Sequence, residues 1–346
     1  MKRADLNDDS TVKLSRPRAS LSRQAGSPLP TMRWLWLAAG VFVVVAGGAT
    51  AGWVFWPRDA PVVASTIVPQ VTPQVPLPPE FVVETATEAR IRDNVATDLT
   101  IFRWAANPDV LVLDFASLHE QGLMLNRLGA FAEKAQIPHD RVLTDVELDL
   151  AIRRVGDTPE TFYYGHDYSA ATVARFFALA DRDHVVLTSR EEALRRLLQQ
   201  EGWLSGTKVG GLISIPKAGA DARVTADVRA AILHHELSHG EYFSNPAYAA
   251  YTHSFWTSAL TELERQAVRR YLTAENYDPY LDELMENEAQ AYLIFTDHPA
   301  FFTPSMVGMT ELRRAELRTI FLRNVPAPWM RDDVPPPPAV ARAAAH

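Results

Sequence analysis

The stretch ILHHELSHGEYF spans residues Ile232–Phe243 and contains His235-Glu236-Leu237-Ser238-His239, an H-E-x-x-H pattern. Thr225 is placed to cap a helix starting at Ala226. On that helix Val228, Ala231, Ile232, His235 and His239 recur at steps of three and four, so both histidines lie on the apolar, inward face. Four residues apart, their imidazoles stand one turn apart and can hold one metal ion. Glu236 is rotated by roughly 100° from His235, which sets it beside such an ion, where a general base belongs. The bland alternative is two core histidines in need of hydrogen-bond partners. His234, also off the face, is assigned a surface or supporting role.

A catalytic zinc takes three protein ligands and keeps an open position. A third histidine close behind the motif, in the spacing H-E-x-x-H-x-x-G-x-x-H, is excluded: Tyr242 fills the glycine slot and Asn245 the histidine slot. The other source is a carboxylate on a later helix. DPYLDELMENEAQAYLIF (Asp278–Phe295) opens with Asp278 as a cap and Pro279 in the first turn. Its apolar stripe is Leu281, Leu284, Met285, Ala291, Tyr292 and Phe295, and Glu288 fills the gap in that stripe. A buried glutamate needs a partner or a metal, because desolvating a carboxylate costs several kcal/mol. Glu288 is therefore read as a metal ligand. A buried ion pair to an arginine is the alternative reading, and Glu286 is the fallback ligand.

H-E-x-x-H on one helix and NEAQAY (Asn287–Tyr292) on a later one resemble the gluzincin metallopeptidases, over about residues 225–295. The resemblance implies a zincin-like lobe in which His235, His239 and Glu288 hold Zn2+ and Glu236 is the catalytic base of peptide hydrolysis by a zinc-activated water. Two departures stand out. The family often has an aspartate four residues after the ligand glutamate, where this chain has Tyr292. Zinc-protease signatures usually have an uncharged residue where this chain has Glu241, which is accommodated if the helix ends near Gly240 and Glu241 turns outward. For the developing oxyanion the candidate donors are Tyr292, Tyr242 and His298.

The chain has 346 residues, no cysteine, and a formal net charge of −8. Thiolate chemistry and Cys-held metals are thereby excluded. Residues 1–33 carry seven basic against three acidic residues, so the remainder is strongly acidic. That balance argues against nucleic acid as a partner. WLWLAAGVFVVVAGGATAGWVFW (Trp34–Trp56) is 23 residues without a charge. As a helix it spans roughly 34 Å, enough for a bilayer core, with tryptophans at both ends. The preceding basic residues place the N-terminus in the cytoplasm and the body outside. A cleaved signal peptide is the rival reading. The absence of cysteine and of N-x-S/T sequons suits a bacterial inner membrane with the body in the periplasm.

The organisation follows as a disordered cytoplasmic tail (1–33), a single transmembrane helix (34–56), a proline-rich spacer (57–80), a mixed α/β lobe (81–222), a helical lobe with the metal site (223–326) and a loose Pro/Ala-rich tail (327–346). The fold class is α+β. Asp109–Phe115, His184–Ser189 and Lys208–Pro216 read as strands, and Ser189 with Glu192 reads as a capping box. The strand ending at Pro216 is expected to pair an extended peptide along its edge. The function expected is a membrane-anchored zinc peptidase acting on a peptide or protein. Two alternatives are a zinc hydrolase of a cell-wall peptide or other amide, and a non-catalytic tethered binding module with a residual metal site.

Overall fold

The computed structural model describes residues 81–332. In chain order the elements are β1 (Val83–Ala86), α1 (Glu88–Arg92), β2 (Thr100–Trp104), β3 (Val110–Phe115), α2 (Leu118–Glu133), α3 (Asp145–Val155), β4 (His166–Ser169), α4 (Ala170–Arg182), α5 (Ser189–Gln200), β5 (Gly211–Pro216), α6 (Ala226–Ser244), α7 (Pro246–Ser258), α8 (Glu262–Ala274), α9 (Asp282–Gln290), α10 (Glu311–Arg323) and α11 (Trp329–Asp332). A π-helical turn, Ala291–Phe295, continues α9. The protein is a mixed α+β fold built on one five-stranded sheet. The strand order is β1-β2-β3-β5-β4, with β1/β2 and β3/β5 parallel and β2/β3 and β4/β5 antiparallel.

Strand periodicity builds two cores. Every residue of β3 is buried, and successive side chains point to opposite faces. Val110 and Val112 join Ile213 and Ile215 of β5 under α6, α7 and α10. Leu111, Leu113 and Phe115 join Leu212 under α2, α4 and α5. Helix α6 lies very close to the sheet. A Cβ on Gly211 would fall 2.8 Å from Gly240 Cα, and one on Gly240 would fall 2.8 Å from Val110 Cγ1. The glycine after the second histidine is thus a packing requirement.

Four local expectations are corrected. His184–Ser189 is not a strand: Val186 is exposed, His184 takes a positive φ, and the segment joins α4 to α5. The fifth strand is the more polar β4, whose alternation sends His166 and Tyr168 to one face and Asp167 to the other. The capping box of α5 is Thr188 with Glu191, one residue earlier than expected. Asp278 starts a turn, accepting from the Tyr280 N–H at 2.9 Å, and helix α9 begins only at Asp282. The strand ending at Pro216 is interior, paired on both sides; β4 is the edge.

Folded structure extends past Ala327: Ala327 and Met330 are buried, and the ring of Trp329 stands edge-on to Trp104 at 4.3 Å. The expected membrane helix at 34–56, the tail and spacer around it, and residues 333–346 lie outside the described residues. Among the described residues no helix is long and apolar enough to cross a membrane.

Candidate metal centre

Helix α6 and helix α9 bring His235, His239 and Glu288 together, all three buried. The two Nε2 atoms face each other at 3.0 Å, and Glu288 Oε1 lies 3.9 Å from His239 Nε2. Two nitrogens on one tetrahedral zinc would be about 3.3 Å apart, so the donor atoms already have roughly the right spread. The donor set, two imidazoles and one carboxylate, is the kind that zinc takes. No arginine meets Glu288, and neither of its oxygens holds a hydrogen bond within bonding geometry. That disposes of the buried ion pair as its explanation.

The tautomer of His235 follows from its neighbour. Thr296 has one hydroxyl proton, which it donates to the Ala291 carbonyl at 3.0 Å. At 2.7 Å from His235 Nδ1 the same oxygen can then only accept. Nδ1 therefore carries the proton, and Nε2 presents its lone pair to the centre. The π-helical turn after α9 is what delivers this contact: the Thr296 N–H reaches the Ala291 carbonyl, five residues back, at 2.9 Å. On the other histidine, Asp167 Oδ1 of β4 lies 3.7 Å from Nδ1.

Glu236 sits beside this group, 3% exposed, with Oε2 unbonded. Its Oε1 occupies the space that a side chain at Gly165 would need, since a Cβ there would fall 2.0 Å away. A small cavity of about 10 Å³ is lined by Glu133, Tyr163, Gly165, Asp167, His235, Glu236 and Tyr277. That is room for about one water. An open cleft of about 510 Å³ adjoins it, sharing Glu133 and Asp167 and reaching Tyr168, Tyr242 and the start of α9.

Burial sets the electrostatics. It raises the carboxyl pKa of Glu236, Glu288 and Glu133 well above the ordinary value, with repulsion from Asp167 adding to each. It pushes Asp167 up to about 7. It drives His235 well below 6.5 and His239 down to about 4, the latter opposed by Asn287. Four buried carboxylates thus share the site with one buried cation, Lys134. Its ammonium lies over the rings of Tyr163 at 4.4 Å and Tyr277 at 4.8 Å. A divalent cation would favour the ionised form of these carboxyls, which burial alone opposes.

The other residues singled out in the sequence lie as follows. Tyr292 is buried with its ring edge-on to His235 at 4.9 Å. Tyr242 walls the open cleft. His298 is away from the cluster, 3.2 Å from Asp227 in the first turn of α6. Glu286 faces His253 at 3.0 Å, not the two histidines. His234 contacts Glu88 at 3.1 Å. Glu241 does not turn outward. Helix α6 runs on to Ser244, and Glu241 is buried, accepting from Asn107 and Asn245 at 2.7 Å each.

Sequence reasoning missed Asp167, Glu133, Tyr163, Tyr277 and Thr296. The signal available for Asp167 was the stretch YYGHDYS, residues 163–169, where aromatic and ionisable residues crowd one short segment. The same stretch contains Tyr163; for Glu133, Tyr277 and Thr296 nothing local marked a role. No protein-family model, no curated protein and no solved structure matches the chain.

Proposed function

We propose that this chain is a membrane-anchored, zinc-dependent metallopeptidase, a hydrolase of peptide bonds whose body faces the periplasm of a bacterial inner membrane. The observation that carries the reading is the buried set of His235, His239 and Glu288, with unbonded carboxylate oxygens on Glu288 and with Glu236 alongside. A purely structural metal site has no use for an unbonded acid beside it, so Glu236 favours an enzyme over a tethered binding module. The anchor and the compartment rest on Trp34–Trp56 and its basic flank. The gluzincin-type resemblance favours reading α6 to α10 as a zincin-like helical lobe after a mixed α/β lobe. Peptide or protein is the substrate class.

His235, His239 and Glu288 would hold the ion. When bound, zinc supplies Lewis-acid chemistry, lowering the pKa of water and polarising a carbonyl. Glu236 is the proton carrier. Burial makes its carboxylate a stronger base than a surface glutamate, so it accepts a proton from the attacking water and returns it to the leaving amine. Tyr163 and Tyr277 share the small cavity with Glu236 and are the phenols nearest to a donor role for the oxyanion. Tyr292, with its ring against His235, orients that ligand instead. The edge strand β4 lines the open cleft and offers backbone pairing to an extended peptide.

The test is zinc content together with hydrolysis of a fluorogenic peptide library. Wild-type protein is expected to hold one zinc per chain. Glu236→Gln is expected to keep the zinc and to lose about 10²–10⁴-fold in kcat. No zinc in the wild type, or full activity in Glu236→Gln, overturns the reading.

A further inference from the structure

Glu133 and Asp167 belong to both cavities: each lines the small space beside Glu236 and the open cleft outside it. The two carboxylates thus stand where the cleft meets the small cavity. Glu133, the last residue of α2, is 4% exposed, and its Oε1 is buried without a hydrogen-bond partner. Asp167 is 9% exposed, and its ion-pair neighbour is His239 Nδ1 at 3.7 Å. Among the described residues no arginine or lysine is within ion-pair distance of either carboxylate. Lys134 follows Glu133 in the chain, but its ammonium is directed over the rings of Tyr163 and Tyr277.

The cleft outside continues the same sign. Glu283 stands on its rim beside Asp282, which is paired with Arg269 at 2.5 Å. Among its described lining residues Arg175 is the one cation, and its guanidinium is held at the outer side by the His139 carbonyl at 2.7 Å and the Phe131 ring. A carboxylate-lined junction with the buried, unpartnered Glu133 Oε1 at its inner end is arranged for a positive guest. A buried carboxylate pair gains most from a group that brings both charge and several N–H donors. A primary ammonium does so with three.

We infer that Glu133 and Asp167 form a subsite for a primary ammonium group of the substrate, next to the metal centre. The inference rests on the hydrolase reading for calling that guest a substrate. The ammonium can come from a free peptide N-terminus or from a lysine side chain, and the experiment separates the two.

Four matched octapeptides are used: N-terminus free or acetylated, crossed with lysine or norleucine at the central position. Binding and hydrolysis are measured with the zinc-loaded full chain, wild type and Glu133→Gln, with zinc stoichiometry recorded for both. One ammonium-bearing series is expected to bind about 10–100-fold tighter than its neutral counterpart in the wild type. That advantage is expected to collapse in Glu133→Gln, while the acetylated norleucine peptide binds both proteins alike. A preference for the free N-terminus identifies the α-ammonium; a preference for lysine identifies the side chain. Equal binding of charged and neutral peptides, or a uniform loss across all four in Glu133→Gln, overturns the subsite. So does a second zinc per chain that Glu133→Gln removes, because the pair would then be metal ligands. If peptides bind with the expected preference but none is cleaved, the hydrolase reading fails and the ammonium subsite stands.

Discussion

Helix α6 carries two buried polar clusters less than two turns apart, and they are built to opposite rules. Arg229 is 1% exposed, and all five of its N–H groups are engaged. It meets both oxygens of Asp114 at 2.8 Å, and the carbonyls of Ile91 at 2.7 Å, Arg92 at 3.0 Å and Pro216 at 2.6 Å. Asn94 adds a further bond to Asp114 at 2.8 Å. Around His235 and His239, by contrast, Glu236 Oε2 and both oxygens of Glu288 are buried and unbonded. The first cluster is complete and ties α6 to α1, β3 and the end of β5. The second is complete only with something added. A buried polar group without a partner costs about 1–3 kcal/mol, and more if charged. The same helix therefore holds a stabilising cluster and a destabilising one.

Breaking each cluster should move stability in opposite directions. Arg229→Ala strands the Asp114 carboxylate and is expected to destabilise by about 3–5 kcal/mol without changing the zinc affinity of the folded fraction. Glu288→Leu removes an unmet carboxylate at nearly constant volume. It is expected to stabilise the metal-free protein by about 1–3 kcal/mol while abolishing zinc binding. Denaturant unfolding with a chelator present, followed by zinc titration, measures both. If Glu288→Leu destabilises the metal-free protein, Glu288 has a partner in the fold and the contrast fails.

The pH dependence of the metal-free protein gives a second handle. The buried histidines have folded pKa values below their unfolded ones. Their contribution is present above about 6.5 and is lost as pH falls. The carboxylates have folded values raised above their unfolded ones, so their contribution is present in acid and is lost as pH rises. That loss ends near 7 for Asp167 and continues higher for Glu236, Glu288 and Glu133. Above pH 6.5 the carboxylates act, opposed only where buried Lys134, whose ammonium burial pushes down from 10.5, begins to lose its proton in the fold. The metal-free protein should lose up to about 1.4 kcal/mol per pH unit for each carboxylate still protonated in the fold. Zinc should remove the slope at Glu288, because ligation holds that group ionised. Unfolding curves at pH 6.5 and pH 8, with and without chelator, test this. A metal-free protein equally stable at both pH values would mean that these groups are paired like Arg229 and Asp114.

The two halves of the centre differed in how far the sequence revealed them. His235, His239 and Glu288 were legible because a helix repeats every 3.6 residues, and an ionisable residue in an apolar stripe stands out against that period. The α+β class was legible for the same reason. The other half comes from residues 133–167, where burial is imposed by partners distant in the chain. Glu133 and Lys134 end a helix, and nothing local marks them as buried. Asp167 lies on a four-residue strand with a polar HDYS sequence, and the more apolar HVVLTS drew the strand reading instead. HVVLTS stays a connection because the sheet position beside β5 is filled by β4. The burial of Glu241 was equally illegible, since its donors Asn107 and Trp329 are 134 and 88 residues away.

The smallest expected effect falls on a contact that gives the open cluster part of the order of the closed one. Thr296 spends its proton on Ala291 and accepts from His235 Nδ1, so it sets the tautomer of His235. Thr296→Val keeps the shape and removes the acceptor. His235 then loses the bond that holds its proton on Nδ1, and the ring can carry the proton on Nε2 instead. Partners of this kind are worth about 10–100-fold in metal affinity. Zinc affinity of Thr296→Val is therefore expected to fall by that factor, with Thr296→Ser restoring most of it because the hydroxyl returns. A competition titration against a chromogenic chelator reads the difference. An unchanged affinity in Thr296→Val would mean that ring packing by Tyr292 alone orients His235. The π-helical turn would then matter for placing Tyr292 rather than Thr296.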